Sequence, residues 1–357
     1  MTTSLPLPAD PNQSHAAMVD VGILDEQVAA ALRAALAPNT WRAYAADWRH
    51  WSAWADVQKI PALPARPLDL ARYLVAHAPG SRVGTLTRRL SAIAKAHVLA
   101  GQADPTDDPA VREVLRGLRR EHGTAHRGAP PLWTSDVERI IDTTYTLNDQ
   151  TYGQGYGTAE VRDRALVLLG FTSALRRSEL AALDTADLEP DPAGLIVHVR
   201  HSKTDTAGEG AYVGIPYASR PRLCAVLAAE AWIDRLAALL GVTGDALTGP
   251  LFRPVDRRGQ LGSLGASRRG PDARLSDAAV RDALIRRAKA AGLSPAHGER
   301  FFTAHSTRSG FATQAVANGA SERAIMDQGR WRSLQVARSY IRRSSVFTDN
   351  AAGRLGL

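Results

Sequence analysis

The chain has 357 residues, 45% hydrophobic and 22% charged, with 44 Lys+Arg against 36 Asp+Glu, one cysteine and a formal net charge of +8. This is the composition of a globular protein long enough for two domains, and it excludes the fibrous and disordered classes, a disulfide framework and a cysteine-based zinc cluster. No apolar run nears the roughly 18–20 residues that span a bilayer, and the start MTTSLPLPADPNQSH lacks the basic-then-apolar order of a secretory signal, so the chain reads as a soluble protein of a reducing compartment with a polyanionic partner, most simply nucleic acid.

Residues 1–20, rich in Pro, Ser and Thr, read as a flexible tail. From 21 to 121 nearly everything has helical character. Asn39 or Thr40 offers an N-cap, and Trp41, Tyr44, Trp48, Trp51 and Ala55 then recur on one helix face. Four of the seven tryptophans (Trp41, Trp48, Trp51, Trp54) fall here, and they read as core rather than as a base-stacking platform. Further helices are predicted over residues 67–78, 82–100 and 109–121. The third helix carries Arg82, Arg88, Arg89 and Lys95 on a basic side, and the fourth carries Arg112, Arg116, Arg119 and Arg120. Two basic faces in succession predict a DNA-facing surface.

Residues 122–133, HGTAHRGAPPLW, have no periodicity and read as a linker. A helix should start at Thr134-Ser135-Asp136 with Glu138 behind it, in capping-box style. The stretch YGQGYGT at 152–158 reads as a surface loop, because it lacks the flanking strand and spacing of a phosphate-binding turn. The apolar helix VRDRALVLLGFTSAL leads into RRSELAALDTADL. After it, strands over 196–199 and 212–215 flank a polar turn. The remainder is helical, interrupted by an Arg/Gly segment. Between Arg253 and Arg300 eleven Lys/Arg face five Asp/Glu. The chain thus divides into a tail (1–20), a helical domain (21–121), a linker (122–133) and a second domain (134–357).

Three pieces of the second domain carry chemistry. In ALRRSEL, Arg176 and Glu179 sit three apart on what should be one helix face. In HSKTD, Lys203 stands at the tip of a strand and is one of only four lysines. Near the C-terminus His305 and Arg308 are one turn apart, and Trp331 precedes Tyr340 by nine residues. Singly these are common: an RxxE pair is usually a surface ion pair worth well under about 1 kcal/mol. In this order they resemble the tyrosine recombinase (phage integrase) family, most nearly its Cre-type site-specific recombinases. There the motifs run LRxxEL, a lysine on a β-hairpin, HxxR, then a histidine or tryptophan nine residues before the tyrosine. NTWRAY resembles the start of the family's DNA-clamping domain, so the resemblance spans about residues 25 to 345.

The resemblance implies a mainly α fold: a two-domain C-shaped DNA clamp, with a helical N-terminal domain and an α-rich catalytic domain bearing a small antiparallel β-sheet. It implies strand cleavage and rejoining through a covalent 3′-phosphotyrosyl intermediate and a Holliday junction, with Tyr340 as nucleophile. Arg176 and Arg308 would clamp the non-bridging phosphate oxygens, with Glu179 supporting them. Lys203 would protonate the leaving 5′-oxygen, its ordinary pKa near 10 suiting that task. His305 would assist proton transfer, and Trp331 would replace the commoner histidine. Because the covalent link conserves the phosphodiester's energy, neither ATP nor any cofactor or metal is expected. The partner is double-stranded DNA with inverted-repeat half-sites, bound by a homotetramer in the synapse built from monomers, in the bacterial cytoplasm. Two other readings remain open: a type IB topoisomerase, and a DNA-binding protein with decayed motifs. Two departures stand out. Ala174 occupies the place of the family's usual glycine, which a helical turn should tolerate. Among the seventeen residues after Tyr340, Val346 and Phe347 are candidates to anchor an exchange between subunits.

Overall fold

The computed structural model describes residues 36, 38–123, 129–145, 157–202, 205, 208–256, 258–264, 267–268, 270, 273–295, 301–341 and 355. The chain forms two compact units, Met1–His126 and Arg127–Leu357.

The first unit is helical: α1 (Pro38–Gln58), α2 (Pro67–His77), α3 (Val83–Leu99) and α4 (Pro109–His122). α1 packs on α3 and α2 on α4. Proline in the first turn opens α2 and α4, where its missing N–H leaves nothing unsatisfied. The Asp108 carboxylate caps α4 by accepting the Ala110 N–H at 2.8 Å. α1 starts at Pro38, so Asn39 and Thr40 lie inside the helix rather than capping it. Trp48, Trp51, Leu70, Tyr73, Leu86 and Ile93 form the core. Trp51 donates its indole N–H to the Ala62 carbonyl at 3.0 Å, and Trp54 stacks on it from the half-exposed rim. The basic side predicted for α3 is narrower than expected. Arg88 makes two bonds to the buried Asp47, at 2.7 and 3.0 Å, and Arg89 turns inward with only 12% of its side chain exposed. On α4, Arg119 and Arg120 stay exposed, while Arg112 and Arg116 pair with Asp107 and Glu113.

The second unit is assembled around α6 (Thr158–Thr172), which is buried on every side from Val161 to Gly170. A helix with no exposed face belongs at the centre of a domain. α5 (Thr134–Asp142) precedes it, and α7 (Arg177–Ala182) follows. At the start of α5 the partner of the Trp133 N–H is Asp136, at 2.9 Å, in place of the expected Glu138. The end of the sequence-predicted linker is docked: Leu132 is fully buried and donates its N–H to the Ser306 carbonyl at 3.1 Å. Strands β1 (Leu188–Asp191), β2 (Gly194–Val199) and β3 (Ala211–Pro216) form an antiparallel sheet in that order. Leu195 pairs with Ile215 and Val197 with Val213, all four facing the core. β1, whose LEPD has no strand propensity, was not foreseen. It is fixed by pairing with β2 across a tight turn in which the Asp191 carboxylate accepts the Ala193 N–H at 2.8 Å. Then follow α8 (Ala225–Leu240), a two-residue hairpin β4 (Ser263–Leu264) and β5 (Ser267–Arg268), and helices α9 (Asp277–Ala290), α10 (Ala304–Ala317), α11 (Glu322–Gly329) and α12 (Leu334–Ile341). Of the predicted 152–158 loop, residues 152–156 lie outside the described residues.

Asp163 on α6 is fully buried and receives Arg162 at 2.7 Å and both Arg286 and Arg287 of α9 at 2.9 Å. Burial works against its charge, but Arg162 and Arg287 overcome this and hold its carboxyl below the usual range. Removing one member of such a set strands the others. Asp163→Asn is therefore expected to lower unfolding free energy by about 3–5 kcal/mol at neutral pH, read from the urea midpoint. Since a lowered carboxyl pKa stabilises above the unfolded value and is lost on acidification, the gap between wild type and variant should close as pH falls below the carboxylate range.

Candidate active site

The candidate residues converge where four segments of the second unit meet. α6 ends at Thr172, and the Ser173 hydroxyl turns the chain, donating to the Leu169 carbonyl at 2.5 Å and accepting the Leu175 N–H at 3.3 Å. Ala174 follows with φ +50° and is fully buried. The expected helical turn is thus corrected. This is the left-handed region, where a Cβ costs roughly 1–2 kcal/mol, so the position favours the glycine it lacks. The turn aims the Ala174 carbonyl at Arg308, which donates to it.

Arg176 also departs from expectation. It is the extended N-cap of α7 rather than part of a helix face. Glu179, at the third helical position, reaches back. Its Oε2 accepts the Arg176 backbone N–H at 2.8 Å, and its Oε1 accepts the Arg176 guanidinium at 2.6 Å. The RxxE pair is therefore a helix-start latch of the capping-box kind. The Ser202 hydroxyl closes the triangle, accepting from Arg176 at 2.7 Å and donating to Glu179 Oε1 at 2.9 Å. Ser202 comes three residues after β2; Lys203, the expected proton donor, lies outside the described residues, as do Val346 and Phe347.

α10 begins with reciprocal caps. The Thr303 hydroxyl accepts the His305 N–H at 3.2 Å, and the Ser306 hydroxyl accepts the Thr303 N–H at 3.0 Å. This start leaves His305 exposed in the first turn and puts Arg308, one turn on, inside at 1% exposure. The Arg308 guanidinium donates to the Ala174 and Gly329 carbonyls and lies 4.4 Å over the Trp331 ring. Burial, then the neighbouring charge of Arg176, push it down to about 10, so it remains charged at neutral pH.

α11 stops at Gly329, where the Trp331 ring passes so close that a Cβ would sit 2.0 Å from it. The indole is nearly buried and packs with Ala312, Ile325 and Ala337 in a small cluster of its own, against which the half-buried Tyr340 ring rests. Tyr340 lies on α12, which is tied back to α11 by Arg338 bonding Glu322 at 2.8 and 3.0 Å. The Tyr340 ring centroid is 5.2 Å from that of Trp331, and its hydroxyl is 3.1 Å from His305 Nε2.

Arg176, Glu179, His305, Arg308, Trp331 and Tyr340 are thus brought together from positions up to 164 residues apart. Arg330 belongs with them and went unread: it pairs with Glu179 Oε2 at 2.7 Å. Its only trace in the sequence is an arginine directly after the helix-stopping Gly329. Burial opposes the Glu179 charge, yet Arg330, then the N–H and guanidinium of Arg176, hold its carboxyl below the usual range. Among the described residues no group of three or more His, Cys, Asp or Glu could hold a metal ion.

Residues 132–345 match the Phage integrase family. An integrase/recombinase xerD homolog of Selenomonas ruminantium is 34% identical over 322 residues, covering 89% of this chain and 86% of the relative. The recombinase cre of Escherichia phage P1 is 24% identical over 314 residues, covering 87% and 85%. Among solved structures, XerH site-specific recombinase in a post-cleavage complex with palindromic difH substrate aligns with a TM-score of 0.61 at 15% identity, covering 98% of this chain and 90% of that one. A lambda integrase tetramer bound to a Holliday junction aligns at 0.52 and 15% identity, covering 86% and 72%. The family match covers the whole convergent cluster and the kinship extends through the helical first unit, so this chain belongs to the phage integrase family.

Proposed function

We propose that the chain is a site-specific DNA recombinase that cuts and rejoins strands through a covalent 3′-phosphotyrosyl intermediate. One observation carries the reading: the Tyr340 hydroxyl sits 3.1 Å from His305 Nε2, on a ring packed against the indole that underlies Arg308. A nucleophile, a proton acceptor and a buried guanidinium are what attack on a phosphodiester requires. His305 accepts the phenol proton as Tyr340 oxygen bonds to phosphorus. Arg176 and Arg308 neutralise the charge that gathers on the non-bridging oxygens. The bond to the 5′-oxygen breaks, and Lys203 supplies that oxygen's proton. A 5′-hydroxyl from the partner duplex then reverses the steps, leaving a Holliday junction halfway through the exchange.

On this reading residues 21–121 bind DNA, 122–133 link, and 134–357 catalyse. Binding to paired inverted half-sites by a homotetrameric synapse belongs to the same reading, supported by the palindromic difH substrate of the XerH complex and by the lambda integrase tetramer on a Holliday junction. Whole-chain identity is higher to the xerD homolog than to Cre; the Cre-like feature is local, the indole of Trp331 where the family usually carries a histidine.

Sites selected by binding from a randomised duplex pool, placed twice in a plasmid, provide the test. The protein should yield recombinant circles and a transient four-way junction. If it instead relaxed any supercoiled plasmid at catalytic levels without recombinants, the type IB topoisomerase reading would stand in its place.

A further inference from the structure

Arg330 is held in a conformation that its residue type disfavours. It ends α11 with φ +53°, ψ 45°, the left-handed cap that glycine adopts freely. Only two other non-glycine residues among those described have positive φ, and one of them is Ala174. Ala174 and Arg330 flank Arg308, whose guanidinium donates to the carbonyls of Ala174 and of Gly329, immediately before Arg330. Strained backbone gathered at one cluster points to function. The Arg330 side chain is only 10% exposed and folds back onto the cluster rather than out to solvent. Its terminal nitrogen meets Glu179 Oε2 at 2.7 Å, while its buried Nε has no partner.

Glu179 is the hub. One carboxylate oxygen takes the Arg176 guanidinium and the Ser202 hydroxyl, and the other takes Arg330 and the Arg176 backbone N–H. Without Arg330, the carboxylate can swing toward Arg176 alone and carry that guanidinium off its setting.

Resting on the recombinase reading above, we propose that Arg330 is a positioning residue of the cleavage reaction: through Glu179 it fixes Arg176 for the phosphate. Ser202, on the same carboxylate, carries that order toward the strand end that precedes Lys203.

Arg330→Gly is the test, because glycine suits the left-handed cap and the fold should persist. At saturating DNA the single-turnover cleavage rate should fall about 10–100-fold, as expected for a displaced reacting group, while DNA affinity changes by less than about threefold. Arg330 is the strongest of the charges that hold the Glu179 carboxyl below the usual range, so the variant's rate should drop further than wild type's as pH falls into the carboxylate range. Arg330→Lys should recover part of the rate. A second readout needs no DNA: the Arg176 side-chain N–H signals should be sharp and slow to exchange in wild type, where Glu179 and Ser202 hold them, and should broaden in Arg330→Gly. A variant with wild-type rate and pH profile, or unchanged Arg176 signals, overturns the proposal. If wild type forms no covalent adduct while those signals still broaden, the recombinase reading fails and the positioning of Arg176 by Arg330 stands.

Discussion

Tyr340→Phe is expected to form no covalent protein–DNA adduct on a nicked suicide substrate, a loss on the order of 10⁴-fold or more in cleavage, while still binding the same DNA. The change deletes one oxygen. The phenylalanine ring keeps its place on Trp331 and in the cluster with Ala312, Ile325 and Ala337. What disappears is the hydrogen bond to His305, worth about 1 kcal/mol to the fold. Binding, melting temperature and electrophoretic mobility of the protein–DNA complex should therefore match wild type, and the adduct alone should vanish. An adduct that persisted would identify another nucleophile and remove Tyr340 from the mechanism.

Arg308→Lys keeps a positive charge yet should cut cleavage about 10²–10³-fold, the range seen when one transition-state donor is lost. The guanidinium reaches two carbonyls, Ala174 and Gly329, and its carbon lies 4.4 Å over the Trp331 ring. An ammonium on a shorter, tetrahedral head cannot do all three. One buried carbonyl is left without a donor, costing about 1–3 kcal/mol of stability. The two effects separate in a denaturant titration run beside single-turnover cleavage. If only stability changed, Arg308 would be a structural cation. If cleavage fell with the salt dependence of binding unaltered, it acts on the reacting phosphate.

The helices of the first unit were legible because tryptophan and leucine spacing of three and four, with proline starts, is written locally. So were the β2–β3 hairpin and the order of the motif residues. What misled was local in appearance and tertiary in cause. Ala174 looked like a helical residue and is left-handed, because its carbonyl must meet Arg308, 134 residues away. Arg176 and Glu179 looked like an ion pair on a helix face and form a helix start, because the chain turns sharply at Ser173. Arg89 looked exposed and is drawn toward Asp47.

The sequence alone determined the class of this protein: helical, two-part, basic, with a tyrosine, two arginines, a histidine and a lysine in a family's order. Backbone propensity and residue chemistry are carried by each stretch of chain, so spacing reveals them. Only the tertiary structure decided that Arg308 is buried and shifted, that Glu179 holds two arginines rather than one, and that Arg330 is part of the site. Burial and charge pairing are properties of neighbours in space. Arg330 and Glu179 stand 151 residues apart, and no local pattern connects them.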